Sequence, residues 1–443
     1  MPSPASADAA SRPQDRSYLQ ELEYLLSLQK YGIKFGLSKT SNLLRALGDP
    51  HKDRFFIHVA GTNGKGSVAA FAVSMLQEAG YRVGLYTSPH LVRFTERMQV
   101  NSRQIPSDQA AALIREIREA SDPSEPPTFF EAVTAMALTY FAREKTDIDV
   151  VEVGMGGRLD ATNIVEPLLS VITNISLEHQ DFLGRTLMEV AREKAGVIKH
   201  YTPLLTGVKQ KQVLQLFEDL CGELQAPFFR LGRDMRYRKT ARGMHYSGLD
   251  TNLHQVEIPL NGAFQQRNAA LALGALELLK RRGWSISPEQ MRRGIKNTRW
   301  PGRLHQISDQ PRIILDGAHN PAAMRALCAS LTQDLDYEKL ILVIGIMADK
   351  DARSMLKPVL SLADHVLFTR PRYERAMDPG TLKSFAPTGD ISCEVIPSLE
   401  SALDRAVSLC RQQDLILVCG SLFTIGEALS HLDPASYPAE EIY

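Results

Sequence analysis

Residues 54–67 read RFFIHVAGTNGKGS, and this stretch constrains the fold more than any other. A short apolar run passes directly into a glycine-rich turn carrying Gly64 and Lys65. The turn then enters GKGSVAAFAVSMLQEAG, an Ala-rich helical pattern closed by Gly80. Strand, tight turn and helix in that order form the building unit of a parallel sheet with crossover helices. The same unit points unpaired backbone N–H groups and the positive end of a helix dipole at one place, which attracts phosphate. Lys65 supplies a mobile positive charge for outer phosphates, and Ser67 a hydroxyl for phosphate or metal. The spelling is irregular. The strict pattern wants Gly five residues before the Gly-Lys pair, where Val59 stands, and Ser or Thr right after the Lys, where Gly66 intervenes. A plain glycine turn between strand and helix is the alternative reading.

The rest of the chain repeats this style. YRVGLYTS, TDIDVVEVG and LLSVITNIS read as strands, and PTFFEAVTAMALTYFARE is helical from about Phe129. Further on, RIILDGA, KLILVIGI, ADHVLFTR and LILVCGS read as strands, with helices at PAAMRALCASLTQ and SLESALDRAVSLCRQQ. At 443 residues the chain is too long for one core and suits two domains. Trp300-Pro301-Gly302 interrupts a helical pattern and marks the break. The expected division is a disordered polar tail at 1–17, a larger α/β domain at 18–298 and a smaller α/β domain at 299–443.

Composition narrows the function classes. Fifty-one basic residues balance 51 acidic ones with no basic stripe, which argues against a nucleic-acid partner. The longest apolar stretches, such as LILVIGIMA, are far shorter than a membrane span, so no membrane association is expected. The N-terminal tail has no apolar segment and does not read as a signal peptide. Cysteines at 221, 328, 393, 410 and 419 form no C-x-x-C pair, which suits a reducing cytoplasm.

Several strand ends carry chemistry-bearing residues. Glu152 lies near the end of a buried β-branched run in VVEVGMGGRLDATN, where a carboxylate is costly unless paired or metal-bound. In open α/β sheets, ligand crevices form at the C-terminal ends of strands. His179, in ITNISLEHQDFLG, and Ser88, in YTSPH, follow strands that can end at the same edge. Ser88, Glu152 and His179 could then hold Mg²⁺ against bound phosphates. Lys194, in REKAGVIK, has the company of these motifs as its one distinction. Asp316 and His319 follow a strand in RIILDGAHNP, and Arg303 sits at the domain junction, where it could reach a γ-phosphate.

Taken in order, GTNGKGS, YTSPHLVRFTER, FFEAVTAMAL, EVGMGGRLDATN, LEHQDFLG, REKAGVIK, GAFQQRNAALAL, WPGR, DGAHNP and GSLFTIGE resemble the dihydrofolate synthase/folylpolyglutamate synthase family of Mur ligases. The likeness runs from about residue 18 to about residue 430. That family spells its phosphate loop Gly-Thr-Asn-Gly-Lys-Gly-Ser/Thr, which accounts for the irregular spelling. The resemblance implies an α/β fold, with an N-terminal P-loop-type Mur ligase central domain built on a mostly parallel sheet and a smaller C-terminal Rossmann-like α/β domain.

It also implies an ATP-dependent ligase with Mg²⁺, joining L-glutamate to dihydropteroate and to reduced folates through an acyl phosphate. By motif, Asn63, Gly64, Lys65, Gly66 and Ser67 would hold the ATP phosphates. Asn268, Arg303 and Asp316 would complete the ATP site, and Ser88, Glu152 and His179 would hold the metal. Lys65, Lys194, His319 and Arg303 would carry catalysis, with Lys194 matching a lysine that is carbamylated in the family. Ile33, Lys34, Phe130, Glu131 and Asp160 would line the pterin site. A cytoplasmic monomer is expected.

Alternatives stay open at this point. The loose match of YGIKFGLSKTSNLL leaves room for an enzyme acting on folates alone. A Mur-type ligase of nucleotide-sugar peptides shares the ATP chemistry but normally carries a further N-terminal domain, for which too few residues precede the phosphate loop. A nucleotide-dependent switch would need neither WPGR nor DGAHNP.

Overall fold

A computed structural model describes residues 13–32, 36–240, 243–386 and 391–440. The first sheet comprises β1 (Phe56–Ala60), β2 (Val83–Tyr86), β3 (Met98–Val100), β4 (Arg103–Gln104), β5 (Ile148–Glu152), β6 (Leu169–Ile172), β7 (Leu204–Thr206) and β8 (Phe228–Arg230). Its spatial order is β4-β3-β2-β5-β1-β6-β7-β8. From β2 to β8 every pairing is parallel, and only β3 and β4 run antiparallel at one edge. Three further strands, β9 (Arg236–Thr240), β10 (Gly243–Ser247) and β11 (Asn252–Val256), form a small antiparallel sheet. The last sheet holds β12 (His305–Asp309), β13 (Arg312–Asp316), β14 (Leu340–Ile344), β15 (His365–Arg370), β16 (Ser392–Ser398) and β17 (Leu415–Cys419), in the order β12-β13-β17-β14-β15-β16. All its pairings are parallel except β12 with β13.

The physical reason for the two parallel sheets is visible strand by strand. Every residue of β1, β5, β6, β14 and β17 is buried, because crossover helices cover both faces. The helix Lys65–Glu78 that follows the glycine loop is wedged against the helices Ala263–Arg281 and Pro288–Asn297. Small residues allow that packing. A Cβ at Gly294 would lie 2.4 Å from the Met75 Cα, and the Ser74 hydroxyl donates to the Gly294 carbonyl at 2.7 Å.

The topology gathers four loops. In register, Val59 pairs with Glu152 and Ala60 with Ile172, so β2, β5, β1 and β6 stand side by side with their C-terminal ends at one edge. In the second sheet Asp316 pairs with Cys419, and the loops after β13, β14 and β17 form a facing edge.

The structure departs from the sequence expectation in two places. A helix, Pro13–Ser27, begins inside the stretch expected to be a disordered tail at 1–17, and Tyr18, Leu22 and Leu25 on it are buried against the helix Ser107–Ala120. Polar residues ahead of it mask that helical spacing. The β9–β11 sheet was not anticipated in a domain read as one mostly parallel sheet. Its Met244, Tyr246, Leu253 and Val256 are buried in the core shared with the helix Ala263–Arg281. The break expected between 298 and 299 falls between the helix Pro288–Asn297 and β12.

Candidate active site

The glycine loop after β1 is held in one shape by its neighbours. Gly61 has φ 137° and Gly64 has φ 83°, backbone that side chains adopt only with strain. At Gly64 a Cβ would also meet the Asn268 carboxamide oxygen at 2.6 Å, so the loop needs glycine there twice over. Asn63 is pinned on both sides. Its N–H donates to Asn174 Oδ1 (3.0 Å), and its carbonyl accepts from the Thr173 hydroxyl and the Asn174 amide, both at 2.7 Å. Across the domain junction, Asn320 Nδ2 donates to Asn63 Oδ1 at 2.9 Å. Lys65 Nζ folds back over the loop and donates to the carbonyls of Gly61 (3.1 Å) and Thr62 (3.2 Å). Its charge therefore sits over the glycine turn itself.

Next to the loop, at the end of β5, stands Glu152, only 5% exposed. Its Oε2 accepts the Ser88 backbone N–H at 3.2 Å. Burial pushes this carboxyl upward, against the opposing pull of Lys65, Arg303 and Arg97. A divalent cation beside it would keep it ionised. Mg²⁺ is held by oxygen donors, usually one or two carboxylates completed by substrate phosphates and water. The Glu152 carboxylate and Ser88 hydroxyl fit that donor set. His179 reaches the same cavity but offers a nitrogen. Burial brings its imidazole down to about 4, so it is neutral at pH 7. Among the described residues, no group of three or more His, Cys, Asp or Glu side chains is placed to hold a metal by itself.

Lys194 does not open into this space. Only 1% exposed, it pairs with Glu178 Oε1 at 2.6 Å and donates to the Gly61 carbonyl at 3.0 Å, bracing the glycine loop from beneath. Burial drives the Glu178 carboxyl upward, but the Lys194 ammonium, with Lys65 further off, overrides it and holds the group at about 2. Burial pulls the Lys194 ammonium down and Glu178 pulls it back up. At 2.6 Å the contact is that of an ionised pair.

The second domain supplies the opposite wall. Asp316 accepts the N–H groups of Leu304 (2.8 Å) and Ala318 (2.9 Å), and burial raises its pKa against the pull of Arg303. It ties the WPGR segment to the start of the next helix. The Arg303 guanidinium packs where a Gly317 side chain would stand, at 2.4 Å from that Cβ position. His319 Nδ1 lies 2.8 Å from the Gly317 carbonyl, which accepts and so assigns the proton to Nδ1. Burial lowers this imidazole to about 4, leaving Nε2 as an open acceptor at pH 7.

Two cavities meet at this point. One, of about 390 Å³, is walled by Asn63, Gly64, Lys65, Gly66, Ser67, Ser88, Glu152, Glu178, His179, Asn268, Arg303, Asp316 and His319. The structure thus brings the expected phosphate, metal and junction residues from both domains around one space. The other, of about 610 Å³, shares Gly66, Ser88, Glu152 and Arg303 with the first and extends away from the loop.

Some expected residues fall elsewhere. Phe130, Glu131 and Asp160 line neither cavity. The Glu131 carboxylate accepts the Thr128 N–H in a capping box, and Phe130 packs on Gly154 and Tyr86. Both Asp160 oxygens are engaged by Met155 and Thr162, so its carboxylate shapes the GGRLDATN loop. Ile33 and Lys34 lie outside the described residues.

Residues 59–276 match the Mur ligase middle domain and residues 302–422 the Mur ligase glutamate ligase domain. The dihydrofolate synthase/folylpolyglutamate synthase of Bacillus subtilis is 35% identical over 91% of this chain and 96% of its own length. The chain belongs to the dihydrofolate synthase/folylpolyglutamate synthase family of Mur ligases. An archaeal relative in this family, the probable bifunctional folylpolyglutamate synthase/dihydropteroate synthase of Halobacterium salinarum, is 39% identical over 93% of the chain. The chain spans about half the length of that relative, 51%. Among solved structures, E. coli FolC in complex with DHPP and ADP is 33% identical, covers 96% of this chain and 100% of its own, and superposes with a TM-score of 0.88.

In this Mur ligase, three site residues escaped sequence reasoning. Glu178, next to His179, is the partner of Lys194. Asn174 and Asn320 clamp Asn63. Asn320 could have been found, since Asn before Pro321 is a helix N-cap signal. Asn174 was absorbed into the strand read from LLSVITNIS, which in fact ends at Ile172.

Proposed function

We propose that this chain ligates L-glutamate to dihydropteroate and to the γ-glutamyl end of reduced folates, cleaving ATP to ADP and phosphate. The observation that carries the reading is the cavity in which a phosphate loop, a buried strand-end carboxylate and Arg303 and His319 of the second domain converge. A carboxylate is a poor acyl donor until phosphorylated. In the first step a substrate carboxylate oxygen attacks the γ-phosphorus, and the bond to the β-γ bridging oxygen breaks with its electrons leaving on ADP. Backbone N–H groups of residues 63–67 and the Lys65 ammonium hold the phosphates, and Arg303 meets the charge on the transferring group. In the second step the glutamate amine attacks the acyl carbon, a tetrahedral intermediate forms, and phosphate departs with the C–O electrons. Neutral His319 orients the amine by accepting its hydrogen bond, and the released proton passes to water.

Glu152 and Ser88, with His179 beside them, would hold Mg²⁺, which when bound neutralises phosphate charge. Replacing Glu152 by Gln should raise the Mg²⁺ concentration for half-maximal activity by about tenfold or more; an unchanged Mg²⁺ dependence would remove Glu152 from that role. Carbamylation of Lys194 would put a second anion beside Glu178 and so call for a cation between them. An intact-mass measurement with and without bicarbonate tests it. A reducing cytoplasm suits the free thiols, and no helix among the described residues is long and apolar enough to cross a membrane.

The test is phosphate release from ATP with Mg²⁺ and glutamate, run with dihydropteroate and separately with a reduced folate monoglutamate. Release with both is expected. Release with the folate alone would confine the enzyme to chain extension, and release with neither would overturn the reading.

A further inference from the structure

No residue of the small sheet β9–β11 lines either cavity of the cleft. Its solvent face nevertheless carries two histidines that an irregularity brings together. β10 and β11 pair antiparallel, with Met244 opposite Val256 and Tyr246 opposite Leu253. The single residue His245 therefore faces two residues, His254 and Gln255, which is a β-bulge. Gln255 takes left-handed backbone at φ 53°, where glycine is the usual residue. Bulges bend a strand and re-aim its side chains, and strained backbone persists only where the surroundings hold it. Here Met244, Tyr246, Leu253 and Val256 are buried, so His245 and His254 stand together on the outer face. Their Nδ1 atoms lie 3.3 Å apart, with the ring planes at 71°. The Gln255 N–H donates to His245 Nδ1 at 3.3 Å, which puts a lone pair on that nitrogen and the proton on Nε2.

The spacing of the two nitrogens fits one kind of ligand. A tetrahedral metal bonded to imidazole nitrogens at about 2.0–2.1 Å sets them about 3.3–3.4 Å apart, whereas a square-planar one sets them about 2.9 Å apart. The Gln255 contact is long and solvent-facing, so water can take that N–H when a metal takes the lone pair. We propose that His245 and His254 form a binding site for a nitrogen-seeking divalent cation, with Zn²⁺ the best fit, which clips β10 to β11 across the bulge. Among the described residues no third His, Cys, Asp or Glu joins them, so the remaining positions go to water and the metal exchanges with solvent. In register, Arg238 of β9 stands opposite His245. Two imidazoles beside a guanidinium offer nothing to oxygen-seeking Mg²⁺, so this site differs in kind from the carboxylate site at Glu152. It stands independently of the ligase reading above.

The experiment titrates the whole chain with Zn²⁺ in a calorimeter, in a large excess of Mg²⁺, for the wild type, His245→Ala and His254→Ala. One binding event is expected to weaken by about tenfold or more in each variant, since even partners outside a coordination sphere are worth that much. Both variants should melt like the parent in the absence of zinc, because both side chains stand on the solvent face. His245→Phe separates ligation from packing: it keeps the ring without its nitrogens and should lose zinc as the Ala variant does. Zinc bound equally by all the proteins, zinc lost in one His→Ala variant but kept in the other, zinc kept by His245→Phe, or zinc displaced by Mg²⁺ would each overturn the site. Folate-dependent phosphate release should be the same in the variants as in the parent, so the result is read apart from the ligase reaction.

Discussion

Lys65→Ala is expected to cut kcat by about 10²–10³-fold or more while the melting temperature stays close to that of the parent. The ammonium lies over the Gly61 and Thr62 carbonyls, on the turn where the phosphates would sit. A positioned charge that meets developing negative charge in a water-poor site is worth about that much in rate. The structural cost is small, because the Gly61 carbonyl keeps the Lys194 ammonium as a donor and Thr62 lines the open cavity, where water can replace the lost donor. Steady-state turnover and thermal denaturation on the same preparation check it. Near-normal turnover would remove the loop from phosphate binding.

Lys194→Met should have the largest effect on stability. It strands the Glu178 carboxylate, whose side chain is 9% exposed, without its cation and takes a donor from the Gly61 carbonyl. Breaking one half of such a pair costs about 3–5 kcal/mol. Adding Glu178→Gln to the same variant should recover a good part of that loss, because no buried charge then remains. The double-mutant cycle in denaturant reads the coupling directly. If Lys194→Met melts like the parent, the pair does not brace the loop. The sign with pH follows from Glu178. Its folded value of about 2 lies below the ordinary glutamate value, so its contribution is present at neutral pH and is lost as pH falls from about 4.5 toward 2. Lys194→Met should flatten the stability profile in that window.

Much of this was legible because burial writes itself into composition. β1, β5, β6, β14 and β17 are covered on both faces, so they appear as apolar-dominated runs, LILVI and LILVC for the last two, with single polar residues such as His58, Asp149 and Ser170 in the first three. Strand-end chemistry followed from the topology rule alone, and Lys65, Glu152, Arg303 and His319 do meet around one cavity. What sequence could not reveal depends on long-range partners. Glu178 looks like a surface acid beside a more eye-catching histidine, and only folding brings Lys194 to it. The β9–β11 sheet carries Arg, Lys and His on its outer face, and its inward Met244 and Tyr246 are too few to announce a strand. The family resemblance alone places Asp160 and Glu131 at the pterin site, and that both carboxylates also cap helix starts emerges only from the fold.

The most direct test of the central claim follows an atom. A folate whose γ-carboxyl carries heavy oxygen is turned over with ATP and glutamate, and the released phosphate is analysed for the label. An acyl phosphate requires one carboxyl oxygen to leave with the phosphate, so one labelled oxygen per phosphate is the expected result. Phosphate free of label would mean that the carboxylate never attacks the γ-phosphorus, and would contradict the mechanism assigned to Lys65, Glu152 and Arg303.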